Sequence, residues 1–105
     1  MTINLLTDLA DAAGGEKFTE ILSRPGVRIE RIVTLGQTTP AETSYRQAHD
    51  EWVLLLSGEA DLWIEGEPGL TLRPGDHILI PADRCHRVTR TPKDEPTVWL
   101  AVHFG

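Results

Sequence analysis

The chain has a single cysteine, Cys85, so no disulfide can form within it, and a reducing, cytoplasmic compartment is expected. It has no apolar run near the roughly 20 residues that a membrane-spanning helix needs. Its N-terminus lacks a basic stretch followed by an apolar one, so no secretory signal is read there. Basic residues are also few. Ten Lys and Arg stand against sixteen Asp and Glu, for a net charge of −6, and no basic cluster is available to neutralise phosphates. Nucleic acid and membranes are therefore not expected as partners. No segment after residue 26 repeats apolar residues at the 3.6-residue spacing of an amphipathic helix. There is no internal repeat, low-complexity tract or inter-domain linker, and 105 residues suit one domain.

What is present is a series of short β patterns cut by turns. Residues 1–26 read as an N-terminal extension and 27–104 as a β-barrel. Within the extension, Gly14-Gly15 is a break, and Lys17 to Leu22 suits either one helical turn or an edge strand, ended by Pro25-Gly26. Val27 to Leu35 is rich in β-branched residues, and its alternation falters near Glu30-Arg31, as at a bulge. Thr38 to Ser44 reads as a loop. Trp52 to Leu56 is an apolar strand, and Ala60 to Ile64 alternates. The link Ser57-Gly58-Glu59 between them suggests a tight hairpin. Further strands follow at Leu70–Leu72, His77–Ile80, Cys85–Thr89 and Thr97–Phe104, with Gly and Pro turns between them. Such spacing predicts an all-β sandwich or barrel, and a barrel removes the sheet edges that short strands expose.

Two stretches carry a recognisable pattern. In HDEWVLLLSGEADLWIEG, Glu51 is followed by six residues and Gly58. In LRPGDHILIPADRCHRV, Gly75, Pro81 and His86 stand at fixed offsets. Together these resemble the paired motifs of the cupin superfamily, over about residues 27–104. The resemblance implies an antiparallel jelly-roll β-barrel with a pocket. There two His and a Glu from the first motif meet a His from the second, usually around a divalent metal. Tyr45, Gln47, Glu51, Trp52, Trp99 and His103 are further similar to a subgroup of small bacterial cupins with Tyr-x-Gln in the first motif. Two of the four expected ligands are thereby replaced, because Tyr45 and Gln47 stand where the superfamily has His. Asp83 stands where it has Gly, and Arg90 where it has Asn.

Alternation along the strand puts His49, Glu51, Val53 and Leu55 on one face; with that face turned into the barrel Glu51 is an inward carboxylate near its mouth, and otherwise it is a solvated strand-end residue. A buried carboxylate needs a cation, a metal or a hydrogen-bond donor. His86 is the second expected pocket group, as a ligand or a base. His49, two residues before Glu51, either reaches the same ion or is a loop histidine. On the last strand, Trp99, Ala101 and His103 face inward, or else the more apolar set Val98, Leu100, Val102 and Phe104 does. Cys85 and His86 are strand neighbours on opposite faces and do not form a dyad. His77 is expected at the surface or rim, and Trp52, Trp63 and Trp99 as core or as the face of a homodimer.

The expected metal set is Glu51 and His86, with His49 as a third ligand, for Zn²⁺, Mn²⁺, Ni²⁺ or Fe²⁺. The expected ligand pocket is Tyr45, Gln47, His103 and Trp99. A phenol and an amide are weak ligands for such metals but good hydrogen-bonding groups for an organic molecule. The expected function is therefore small-molecule binding. A metal-dependent oxygenase or isomerase and a non-catalytic module are the alternatives.

Overall fold

The computed structural model describes residues 4–9, 11–40 and 46–105. Tyr45 and residues 41–44 of the expected loop lie outside the described residues. Eight strands form: β1 (Lys17–Arg24), β2 (Val27–Thr34), β3 (Asp50–Ser57), β4 (Ala60–Ile64), β5 (Leu70–Leu72), β6 (His77–Ile80), β7 (His86–Arg90) and β8 (Thr97–Phe104). Among the described residues there is no helix, and so none long and apolar enough to cross a membrane. Lys17 to Leu22 is thus the edge strand and not the helical turn.

Five strands make one antiparallel sheet in the order β1-β2-β8-β3-β6, and three make a second in the order β5-β4-β7. This is a jelly-roll barrel, two sheets closed face to face. Ser57-Gly58-Glu59 is not a hairpin turn, because β3 and β4 belong to different sheets. It is the corner where the chain crosses from one to the other. Gly58 takes φ +86°, and a Cβ there would sit 2.8 Å from Pro96 O and from Thr97. Only glycine combines that backbone with that approach. Thr97, fully buried, closes the corner by donating its hydroxyl to Glu59 O at 3.0 Å.

The core lies between the sheets. Val53 and Leu55 of β3, Leu62 and Ile64 of β4, and Trp99 and Ala101 of β8 are all nearly or fully buried there. The expected alternation of β3 is seen, with Glu51, Val53 and Leu55 buried and Trp52 and Leu54 on the other face. The face of β8 goes against bulk hydropathy. Trp99, Ala101 and His103 point inward, while Leu100 and Val102 pair outward with Arg31 and Ile29 of β2. The N-terminal segment explains this. Arg31 donates to the carbonyls of Leu5, Thr7 and Asp8, drawing the segment across the outer face, where Val33 and Val98 are buried. A second layer thus covers part of the apolar side, and the polar side is free to line the interior. The bulge expected near Glu30-Arg31 is carried by the partner strand, between Glu20 and Leu22 of β1.

Candidate ligand pocket

Between the sheets, at one end of the barrel, is a cavity of about 200 Å³. Its floor is apolar, formed by Ile32, Val53, Leu62, Ile80, Val88 and Trp99. Its polar groups arrive by strand register. Glu51 on β3 lies directly opposite His103 on β8. Glu30 on β2 pairs with Ala101, so it sits one diagonal step from His103 on the same face. His86 opens β7, across the gap on the second sheet. Gln47 approaches from the segment before β3. That segment is held by the Asp83 N–H, which donates to Gln47 O at 2.6 Å.

Glu51 is the centre. Its Oε1 accepts the Gln47 side-chain N–H at 2.8 Å and lies 3.8 Å from His86 Nε2. Its Oε2 lies 3.9 Å from His103 Nε2. Both histidines and Glu51 are about nine-tenths buried. His103 Nε2 is 2.9 Å from Glu30 Oε1, and His103 Nδ1 is 2.9 Å from His49 Nε2. The carboxylate of Glu30 can only accept, so His103 donates its Nε2–H there. With neutral rings, His103 Nδ1 is then the acceptor, and His49 donates its own Nε2–H to it. His49 therefore does not join Glu51 and His86. It stands behind His103 and lines a shallower hollow on the outer side with Arg24 and Arg28.

Glu16 and Phe18 complete the mouth. Burial pushes the Glu16 carboxyl above the ordinary carboxylate range. Arg28, whose guanidinium lies 3.9 Å from Glu30, is the one Lys or Arg among the described lining residues.

Of the residues expected in the site, the structure brings together Gln47, Glu51, His86, Trp99 and His103. Tyr45 lies outside the described residues. Glu16, Arg28 and Glu30 were missed. Arg28-x-Glu30-x-Ile32 alternates in the sequence, but its apolar partners Val27, Ile29 and Val33 look like the core set. His77 is exposed at the outer face, where Trp52 Nε1–H donates to its Nδ1 at 3.3 Å. Trp63 lies on the outside of the smaller sheet under the Arg87 guanidinium, 4.8 Å from the ring centre. Only Trp99 of the three tryptophans reaches the cavity. Cys85 contacts Arg46 at 2.9 Å and is not a lining residue.

Of the expected metal set, Glu51 and His86 share the cavity and His49 lies behind His103. Among the described residues, no three His, Cys, Asp or Glu side chains are placed to hold one ion. His103 has both ring nitrogens engaged. A tetrahedral or octahedral ion needs several free lone pairs converging at about 2.0–2.2 Å.

A likeness to known proteins bears on the family. None of the curated proteins matches the chain in sequence. A crystal structure from Ralstonia eutropha JMP134, named "putative mannose-6-phosphate isomerase", is 43% identical. The match covers 99% of this chain and 97% of that one, with a TM-score of 0.94. The TT1209 protein of Thermus thermophilus is 23% identical over 99% of this chain and 97% of that one, with a TM-score of 0.79. The DMSP lyase DddQ of Ruegeria pomeroyi DSS-3 is 19% identical over 99% of this chain and 55% of its own, with a TM-score of 0.73. These last two share the fold alone. The family model described as "Cupin domain" matches residues 31–103, from the middle of β2 to the end of β8, and with the two-sheet barrel and the Glu51–His86 pocket it places this chain in the cupin family.

Proposed function

We propose that this cupin binds a small organic molecule in the barrel, held by hydrogen bonds with Gln47, Glu51 and His86 above an apolar floor. The observation that carries the reading is the meeting of Glu51 and His86, 3.8 Å apart, inside a cavity walled by both sheets. Pockets for small ligands are mostly apolar, with a few convergent polar groups. A carboxylate and an imidazole this close reach one bound molecule together, so they can also exchange a proton with it. Isomerisation of the kind named for the Ralstonia relative is chemistry of that sort. A phosphate ester, which that name would bring, is opposed by charge: among the described residues, three carboxylates line the pocket against the single guanidinium of Arg28.

A thermal-shift screen of sugars, amino acids and phenols tests the reading, since a ligand above its Kd raises Tm. A hit that disappears in both Glu51→Gln and His86→Asn supports it, and a screen without any shift contradicts it. A metal-dependent enzyme is the competing reading, drawn from the superfamily's usual chemistry. Metal analysis of protein purified without chelator separates the two. Less than about a tenth of an equivalent of Zn, Mn, Ni or Fe favours the metal-free pocket. A stoichiometric metal lost on Glu51→Ala favours the enzyme.

A further inference from the structure

Resting on that reading, we propose that the pocket selects an organic cation: a primary ammonium carried on a small apolar or aromatic body. Among the described residues, the carboxylates of Glu16, Glu30 and Glu51 line the cavity, with Arg28 as the one opposing guanidinium. Arg28 is half-exposed and lies against Glu30, so it does not reach across to balance Glu51. Glu51 is the informative group. Its side chain is nine-tenths buried, and its Oε2 accepts no hydrogen bond from the described residues. His103 Nε2, 3.9 Å from it, donates its N–H to Glu30 instead. A carboxylate oxygen open to a cavity in this way takes its donor from what the cavity holds, and an ammonium brings three N–H donors with the opposite charge.

The rest of the cavity suits the body of such a molecule. Trp99 and Phe18 line it, and aromatic side chains attract a cation as well as an apolar group. Phe18 is 58% exposed, which leaves a large aromatic surface at the mouth for a ligand to cover. The volume of about 200 Å³ suits a small molecule. Neutral molecules of this size leave Glu51 without its cation, and anions face the carboxylates directly.

Three probes of nearly equal shape test this: benzylamine, benzyl alcohol and benzoate, at millimolar concentration near neutral pH. Affinity is read by calorimetry, with Tm shifts in parallel. Benzylamine is expected to bind, benzyl alcohol to bind more weakly, and benzoate to be silent. Glu51→Gln is expected to weaken benzylamine by about tenfold or more, the worth of one charge-assisted hydrogen bond, and to weaken benzyl alcohol by a clearly smaller factor. Glu16→Gln, at the half-buried mouth, gives a second variant whose folding does not depend on the pocket centre, and it is expected to weaken benzylamine by a smaller factor. If benzyl alcohol or benzoate binds as tightly as benzylamine, cation selection is overturned while the pocket reading stands. Silence from all three overturns both.

Discussion

Glu51 and His86 come from opposite sheets, and they are the pair through which the two walls of the barrel meet in polar contact inside the cavity. Their stability roles differ. Glu51→Gln removes a charge that burial disfavours and keeps the shape, so it is expected to leave stability unchanged or raise it. His86→Ala is expected to cost about 1–3 kcal/mol, since it opens space and removes a neighbour from a buried carboxylate. Urea unfolding at neutral pH reads both. Strong destabilisation by Glu51→Gln would mean that the acid is a structural group rather than a pocket kept for a ligand.

Gly58 and Gly66 have nearly the same φ, +86° and +87°, but different surroundings. A Cβ on Gly66 meets nothing within 4 Å, whereas one on Gly58 would press on Pro96 and Thr97. Gly66→Ala is expected to cost about 1 kcal/mol from backbone strain alone. Gly58→Ala should cost clearly more, because the corner between the sheets must also move. Equal losses in chemical denaturation would remove the packing part of this argument.

Asp83 occupies the left-handed region at φ +62°. This is where the superfamily pattern has glycine, and the backbone says why. Aspartate tolerates that region better than most residues, and valine does not. Asp83→Gly is expected to be neutral or stabilising by up to about 1 kcal/mol. Asp83→Val should destabilise and loosen Gln47, whose carbonyl accepts the N–H of residue 83. Amide exchange at position 83 checks the second point.

Two carboxylates give opposite pH signatures. Burial raises the Glu16 pKa above 4.5, so the folded state favours its protonated form. Its contribution to stability is present below 4.5 and is lost as pH rises through the raised value. Glu16→Gln should therefore stabilise more at neutral pH than at pH 4. Asp61 behaves the other way. The Arg90 guanidinium, bonded to Asp61 at 2.9 Å, lowers its pKa below 3.8. That stability is present above 3.8 and is lost as pH falls through the lowered value, and salt should weaken it because the pair is exposed. Thermal melts of wild type, Glu16→Gln and Asp61→Asn across acid pH read both signs.

The fold was legible because its punctuation is strong. Gly and Pro turns cut the chain into strands, and the alternation of Glu51, Val53 and Leu55 set the inner face of β3 correctly. The offsets from Glu51 to Gly58 and from Gly75 to His86 named the pocket's two ends. The facing of β2 and β8 was not legible. Both strands turn their apolar residues to a second layer, the N-terminal segment that Arg31 anchors, and local hydropathy cannot tell one apolar cover from another. The same ambiguity hid Arg28 and Glu30 and favoured the wrong side of β8. Gly58 was legible as a turn but not as a corner, because turn chemistry does not say which strands will pair.

Glu30, Glu51 and His103 ride on neighbouring strands of the larger sheet, where backbone ladders fix their spacing. His86 alone rides on the smaller one. The pocket therefore has one rigid panel and one separately hung jaw. Slippage between the layers leaves the acids and His103 in formation and, among these polar groups, changes the reach of His86, which moves together with the apolar floor of Leu62 and Val88.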